Sequence, residues 1–336
     1  MRLSEIGGEF GWIDRVRSAQ AGASGDGLAV AIGDDAAVLD VPLGRQVVVT
    51  TDLLLEGVHF RRDWSGFDDI GWKAAAVSLS DIAAMGADPT FAFVSLAFGP
   101  DEQVEDLDAL YRGLSDCLAR YGARLAGGDT NRTTGGLVLN VAQLGTVPQG
   151  RAWTRAGGRA GDVLLVTGTL GDSAGGLALL TRLGADEAAR LSPILVAAHR
   201  RPSPRLEAAR TLQKAGVVRA AMDISDGLAG DLPKLCAASG CGAQVDLAVL
   251  PVSDALRGAQ GVLGQSAAEV ALAGGEDFEL LLAVAPGDVD AARAAVAATG
   301  MRLTAIGELT PTGLTLLGPD GEARPFLRRG WDHFAP

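Results

Sequence analysis

Residues 47–52 read VVVTTD, a run of β-branched side chains that ends at a carboxylate, and this run predicts a buried strand. Downstream of it, residues 68–85 have the apolar spacing of a helix, with Asp68 or Asp69 as its N-cap. Residues 90–96 predict the next strand. This succession of strands and helices predicts a mixed α/β (α+β) fold.

The second half of the chain starts a new series of elements. Residues 148–161 are rich in Gly and Arg, and after them come a strand at 162–167 and a helix at about 173–183. A chain of 336 residues is long enough for two domains, which we expect at residues 1–148 and 149–336. Further strands are predicted at 138–145, 220–224, 278–284, 303–307 and 314–317, and further helices at 104–121, 227–238 and 288–299.

The charge balance excludes the usual features of a nucleic-acid or anionic-membrane binder. The chain has 41 acidic and 29 basic residues and a net charge of −12, so the basic surface that such partners need is missing. No segment approaches the roughly 18 apolar residues of a membrane span, and the N-terminus lacks an apolar leader, so we expect a cytoplasmic protein. Three cysteines without CxxC spacing argue against a disulfide framework or a thiolate zinc site.

Aspartates repeatedly stand beside glycine or threonine at the ends of apolar runs. The four segments are IGDD (32–35), TTD (50–52), GGDT (127–130) and DISDG (223–227). One such segment alone is typical of a turn or a helix N-cap. A further aspartate, Asp81, lies inside a helix on the face that carries Lys73, with which it could simply pair. Together, several carboxylates at strand ends favour a hard cation, commonly Mg²⁺ with phosphate.

The chain lacks the familiar nucleotide-binding motifs. It has no GxxxxGK[ST] segment and no HRD or DFG pair. Residues 168–176, GTLGDSAGG, follow a strand and open a helix, so their N–H groups could bind an anion. Because GxGxxG spacing is also missing, a nucleotide would be held mainly through metal ions on aspartates.

The motifs in their order resemble the thiamine-monophosphate kinase family over nearly the whole chain. The matching segments include TTDLLLEGVHF (50–60), KAAAVSLSDIAAMGADP (73–89), GGDTNR (127–132), DISDGLAGDL (223–232), GGEDFEL (274–280) and GWDHF (330–334). The resemblance implies a two-domain fold like that of aminoimidazole-ribonucleotide synthetase, whose N-terminal domains pair in a homodimer. It also implies ATP and several Mg²⁺ ions, with direct in-line transfer of the γ-phosphate to thiamine monophosphate.

The resemblance also implies roles for individual residues. Expected metal ligands are Asp35, Thr50, Thr51, Asp52, Asp81, Asp129, Asp223 and Asp226, of which Asp52, Asp81, Asp129 and Asp226 are the expected catalytic residues. Expected nucleotide contacts are Tyr111, Gly128, Asp129, Arg155 and Ser225, and expected contacts to thiamine monophosphate are His59, Glu276 and Trp331. Taken alone, His59 could be structural, Arg155 could be a solvated surface residue, and Trp331 could pack the tail onto the second domain.

Two other classes of function remain as alternatives. Other enzymes of the superfamily often carry a reactive cysteine near the N-terminus or in the C-terminal tail, whereas here the first cysteine is Cys117 and the chain ends in WDHFAP. A non-catalytic nucleotide- or metal-binding regulator is the second alternative, and the presence of every acidic motif argues against it.

Overall fold

A computed structural model describes residues 1, 3–6, 8–19, 27–30, 37–318 and 320–326 of the chain. Its contacts divide the chain into two compact units. The first comprises Met1–Ile82 with Ala87–Arg151, and the second comprises Ala83–Gly86 with Ala152–Pro336. The predicted mixture of helices and strands is confirmed in both.

The first unit has a four-stranded sheet, a short two-stranded ribbon and three α-helices in the part of the chain that is described. Its helices are α1 (Gly8–Ala19), α2 (Phe67–Ala84) and α3 (Val104–Tyr121), and its strands are β1 (Leu28–Val30), β2 (Val38–Leu39), β3 (Arg45–Leu55), β4 (Asp88–Phe98), β5 (Arg124–Arg132) and β6 (Val138–Pro148). The sheet order is β3-β6-β4-β5, and β1 pairs with β2. Strands β4 and β5 are parallel, whereas β6 is antiparallel to both of its neighbours.

Helix α2 covers one face of this sheet. Its Ser78 hydroxyl donates a hydrogen bond to the Val141 carbonyl oxygen of β6 at 3.2 Å. Helix α3 crosses α2 at glycines, because a Cβ atom on Gly71 would lie 1.9 Å from the Leu110 carbonyl oxygen. The predicted N-caps are wrong: α2 begins at Phe67, which leaves Asp68 and Asp69 inside its first turn.

The second unit is a seven-stranded sheet with eight α-helices among its described residues. The helices are α4 (Asp172–Leu183), α5 (Ala185–Leu191), α6 (Pro193–Arg200), α7 (Leu206–Ala215), α8 (Leu228–Ser239), α9 (Asp254–Leu263), α10 (Ala267–Ala273) and α11 (Val289–Ala297). The strands are β7 (Val163–Thr167), β8 (Val218–Ile224), β9 (Gly242–Asp246), β10 (Glu279–Val284), β11 (Leu303–Thr310), β12 (Leu314–Leu317) and β13 (Ala323–Pro325). The sheet order is β13-β12-β9-β11-β7-β10-β8, and only β9 and β12 pair in parallel.

Strand β10 is buried along its whole length between β7 and β8. After Glu279, its residues LLLAV form the continuous apolar run expected of a strand with both faces covered. The antiparallel register pairs Glu279 with Ile224. The residues just before β10 therefore meet the residues just after β8, which brings two predicted functional segments together.

No helix in the described part of the chain is long and apolar enough to cross a membrane.

Candidate functional site

Thr50, Asp52 and Asp81 form an acidic group between β3 and α2. Thr50 and Asp52 are two positions apart on β3, so their side chains point to the same face, the one that α2 covers. The Thr50 hydroxyl donates a hydrogen bond to Asp81 Oδ2. Strand periodicity and helix periodicity thus place two predicted metal ligands and one predicted hydroxyl ligand side by side.

The Asp52 carboxyl group has too few hydrogen bonds for its burial. Its Oδ2 atom is buried without a partner among the described residues. Burial, followed by the charge of Asp81, raises the pKa of Asp52 from 3.8 to about 6, while a hydrogen bond from Ser78 lowers it. Ser78 has a single hydroxyl proton, for which the Val141 carbonyl oxygen at 3.2 Å competes. The Asp52 carboxyl group therefore keeps one buried oxygen, Oδ2, that could accept from a cation or a further donor.

Thr51 points to the opposite face of the sheet. The Asn140 amide nitrogen donates to Thr51 Oγ1 at 2.9 Å and to the Asp52 carbonyl oxygen at 3.1 Å. The structure therefore separates the Thr51 side chain from Thr50 and Asp52, although all three are predicted ligands.

Tyr111, Gly128 and Asp129 line one cavity of about 90 Å³ in the first unit. The Tyr111 ring meets Trp12 edge to face, with ring centroids 5.4 Å apart. Burial raises the pKa of the Tyr111 hydroxyl, which therefore stays protonated and can donate. A Cβ atom on Gly128 would lie 2.0 Å from the Val94 carbonyl oxygen, so only glycine lets the β5 backbone reach this position. Three of the predicted nucleotide contacts thus share one surface.

His59 is fixed at the end of β3. The Leu55 N–H donates to His59 Nδ1 at 3.0 Å, and the His59 N–H donates to the Leu55 carbonyl oxygen at 3.0 Å. The buried Lys73 ammonium donates to the His59 carbonyl oxygen at 2.9 Å. Because Nδ1 accepts a backbone proton, the neutral ring carries its own proton on Nε2. His59 therefore offers Nε2–H as a hydrogen-bond donor.

In the second unit, Asp223, Ser225 and Asp226 lie at the end of β8 and in the turn before α8. The buried Asp231 carboxylate holds this turn: its Oδ2 atom accepts the Ser225 N–H at 3.0 Å and the Asp226 N–H at 2.8 Å. The Lys234 ammonium lies 2.8 Å from Asp231 Oδ1 and 2.5 Å from Asp226 Oδ2. A predicted metal ligand is therefore already paired with a cation.

Glu276 lies in a turn with an unusual backbone. Glu276 has a φ of 63° and Phe278 a φ of 51°, the left-handed region that costs an L-residue about 1–2 kcal/mol. The Glu276 N–H donates to the Ser225 carbonyl oxygen at 2.7 Å, and the Phe278 N–H donates to the Ile224 carbonyl oxygen at 2.9 Å. These bonds to the β8 turn hold the strained conformation and place Glu276 beside Ser225.

The same turn contacts α4 and α6. His199 Nδ1 lies 3.2 Å from Glu276 Oε2 and 3.3 Å from Ser173 Oγ. Asp277 Oδ2 accepts the Gly171 N–H at 2.7 Å, at the start of α4. Of the N–H groups of residues 168–176 that could bind an anion, that of Gly171 is therefore taken by a carboxyl group of the chain itself.

One predicted residue in the described part of the chain, Arg155, is not joined to these groups. The Arg155 side chain is exposed, and the Arg155 carbonyl oxygen accepts a hydrogen bond from Ser239 Oγ at 2.7 Å. Asp35 and Trp331 lie outside the described residues.

Comparison with known proteins identifies the family. The model of the AIR synthase related protein N-terminal domain matches residues 33–147, and that of the C-terminal domain matches residues 159–317. The thiamine-monophosphate kinase of Escherichia coli K12 is 41% identical over 334 residues, which covers 98% of each chain. The chain belongs to the thiamine-monophosphate kinase family. The predicted fold family is thereby confirmed.

Solved structures of the thiamine-monophosphate kinase family have the same fold as this chain over nearly its full length. The enzyme from Stenotrophomonas maltophilia is 37% identical with a TM-score of 0.80, covering 94% of this chain and 98% of that one. A structure of AaThiL complexed with AMPPCP and TMP is 32% identical with a TM-score of 0.78, covering 99% of both chains.

The Asp52–Asp81 group fits the Mg²⁺ that kinase chemistry implies. Within the described residues, no three His, Cys, Asp or Glu side chains gather closely enough to hold a metal ion alone. Mg²⁺ usually binds proteins through one or two carboxylates and completes its shell with water and substrate phosphate. The Asp52–Asp81 pair matches this requirement, with one buried Asp52 oxygen that has no partner among the described residues.

Four residues that contact the candidate site had been given no role. Asp231 and Asp277 stand within the quoted motifs DISDGLAGDL and GGEDFEL, so the motif membership was a usable signal. Lys234 and His199 carry no such signal, because their partners are fixed only by the turns around Asp226 and Glu276.

Proposed function

We infer that the protein is a kinase that transfers the γ-phosphate of ATP to thiamine monophosphate, giving thiamine diphosphate and ADP. The observation that carries this inference is the full-length relationship to thiamine-monophosphate kinases, one of which binds AMPPCP and TMP. The cytoplasm, where ATP is available, is the proposed location.

Mg²⁺ is the proposed cofactor, with Asp52 and Asp81 as its principal protein ligands. Two observations support this assignment: the Asp52 Oδ2 atom is buried without a partner among the described residues, and burial and the charge of Asp81 raise the pKa of Asp52. When bound, the metal neutralises phosphate charge and favours in-line displacement. The remaining proposed ligands are Asp35, Thr50, Thr51, Asp129, Asp223 and Asp226, of which Thr51 could contribute only its backbone without a change of face.

The chain's own residues bind and orient the two anions. Tyr111 and the Gly128 backbone bind the nucleotide together with Asp129, since they share one cavity. Arg155 and Ser225 are further proposed nucleotide contacts. The acceptor phosphate oxygen is already ionised near neutral pH, so position and charge neutralisation replace a strong general base.

The proposed contacts to thiamine monophosphate use complementary chemistry. His59 donates from Nε2–H to an anionic oxygen, because Nδ1 is committed to the Leu55 N–H. Glu276 places a negative charge near the cationic thiazolium, and Trp331 offers an aromatic face for cation–π contact.

A turnover assay tests the proposal directly. Purified protein with ATP, Mg²⁺ and thiamine monophosphate should form thiamine diphosphate and ADP in equal amounts, whereas unphosphorylated thiamine should not be a substrate. Folded protein that forms no thiamine diphosphate would refute the function. Rapid quenching with labelled ATP and no acceptor should leave the protein unlabelled, and stoichiometric labelling that is fast enough for turnover would refute direct transfer.

We also propose a homodimer joined through residues 30–145. The sheet face opposite α2 exposes Val47, Val49 and Leu53 at 44%, 64% and 52%, a run of apolar side chains that a second copy of the same face would cover. Light scattering should give about twice the 34.3 kDa chain mass. Val49→Arg should shift the mass toward the monomer, and the control Leu191→Arg, at a similarly exposed site of α5, should not. A wild-type monomer would contradict the proposal.

A further inference from the structure

Lys234 occupies a position where the proposed function expects a metal ion. Its ammonium lies between two carboxylates, 2.5 Å from Asp226 Oδ2 and 2.8 Å from Asp231 Oδ1. The side chains of Lys234 and Asp226 are 42% and 32% exposed, whereas that of Asp231 is 1% exposed. The pair with Asp226 therefore lies at the surface, where ions from solution can reach it.

The two carboxylates differ in what else binds them. Asp231 uses its second oxygen for the Ser225 and Asp226 N–H groups, and it lies in the first turn of α8, one turn before Lys234. This arrangement ties Lys234 to a fixed and buried partner. Lys234 can therefore lose its contact with Asp226 without losing its anchor on Asp231.

An ammonium and a divalent cation compete for the same carboxylate. Both need the lone pairs of Asp226, and the two positive charges repel each other at contact distance. A metal ion that binds Asp226 must displace Lys234 or share the carboxylate with it at a cost in free energy.

We propose that Lys234 is the resident counter-ion of Asp226 and competes with divalent metal for that carboxylate. The proposal rests on the proposed function, in which Asp226 is a metal ligand. Its consequence is that this chain fills its Asp226 site only at a higher metal concentration than the carboxylates alone would require.

Mn²⁺ binding tests the competition without relying on catalysis. Dissociation constants of the full-length protein for Mn²⁺ are measured by electron paramagnetic resonance for wild type, Lys234→Gln and Lys214→Gln. Glutamine can still donate to Asp231, and the control removes the same charge from an exposed position on α7. Lys234→Gln should bind Mn²⁺ about two- to five-fold more tightly, the scale of an exposed ion pair, and Lys214→Gln should match wild type.

A double-mutant cycle separates local competition from general charge effects. In an Asp226→Asn background, Lys234→Gln should no longer improve Mn²⁺ binding, because the carboxylate for which Lys234 and the metal compete is gone. Thermal unfolding of each variant confirms that folded proteins are compared. Equal dissociation constants for wild type and Lys234→Gln, or an equal gain in Lys214→Gln, would overturn the proposal. Turnover of thiamine monophosphate by wild type tests the proposed function separately, since an active enzyme with unchanged Mn²⁺ binding refutes only the role of Lys234.

Discussion

Replacing Asp52 by Asn should stabilise the metal-free protein while it abolishes activity. In the folded chain, burial and then the charge of Asp81 raise the pKa of Asp52 from 3.8 to about 6. The ionised carboxylate is therefore less stable in the folded state than in the unfolded chain. Since one pKa unit corresponds to ~1.4 kcal/mol, this carboxylate destabilises the fold by up to ~3 kcal/mol at pH 8. Asparagine keeps the shape of the side chain and removes the charge.

The sign of the effect gives a distinctive dependence on pH. Between pH 4 and 6 the folded protein holds a proton on Asp52 that the unfolded chain has lost, so this contribution to stability falls as the pH rises. Asp52→Asn lacks this contribution. Without divalent metal, the variant should exceed wild type by ~1–3 kcal/mol at pH 8, and the difference should shrink toward zero near pH 4. Millimolar Mg²⁺ should raise the stability of wild type at pH 8 more than that of the variant.

Urea unfolding in EDTA, followed by tryptophan fluorescence, is the suitable assay. Trp12, Trp64 and Trp72 all belong to the first unit, which contains Asp52, so the signal reports mainly on that unit. The control Asp116→Asn removes the same charge from an exposed position on α3 and should leave stability nearly unchanged. If Asp52→Asn were less stable than wild type at pH 8, or if its gain were independent of pH, the carboxylate would not be the unpaired group described here. Turnover should fall at least ~100-fold, or ~2.7 kcal/mol in barrier.

Variants at three further positions examine the remaining groups. Glu276→Gly should change the free energy of unfolding by less than about 1 kcal/mol, because relief of the left-handed strain offsets the entropy of glycine. The same variant should raise the Michaelis constant for thiamine monophosphate several-fold. A large loss of stability would show that the turn is not strained. His59→Asn keeps an acceptor for the Leu55 N–H but has no donor at the position of Nε2–H. It should therefore weaken thiamine monophosphate binding more than His59→Gln does. Equal effects of the two variants in calorimetry would contradict the assigned tautomer. Gly128→Ala should destabilise the first unit by at least ~2 kcal/mol and impair ATP binding, because the new methyl group meets the Val94 carbonyl oxygen. Normal unfolding and a normal Michaelis constant for ATP would refute the close approach of the Gly128 and Val94 backbones.

Periodicity along the sequence predicted the frame of the site. The β-branched run at 47–51 lies inside β3, and the pattern at 104–121 matches α3 in full. The alternation of side chains along a strand also predicts that Thr51 points away from Thr50, since neighbouring side chains of a strand point to opposite faces. The family resemblance, by contrast, implies Thr50, Thr51 and Asp52 as ligands together and takes no account of this alternation.

Partner choice across long separations could not be predicted from the sequence. Asp277 binds the Gly171 N–H, 106 positions away, and only the β7-β10-β8 strand order brings them together. Even over eight positions, the pairing of Lys234 with Asp226 depends on the turn that Asp231 holds. Local propensity describes a turn or a cap, whereas the donor that a given carboxylate finds is decided by tertiary packing.

Three departures from ordinary folding rules fall on candidate residues. Asp81 stands inside a helix, Asp52 keeps a buried oxygen that no described residue pairs with, and Glu276 has a left-handed backbone. Each feature costs stability in the metal-free and substrate-free chain, and a sequence selected for stability alone would remove all three. A cation beside Asp52 and Asp81 would satisfy the first two, and a ligand that needs the Glu276 carboxylate in its present direction would use the third. Because the net charge of −12 repels polyanions, the same carboxylates are also where a bound cation would reverse the local sign and admit two phosphate-bearing substrates.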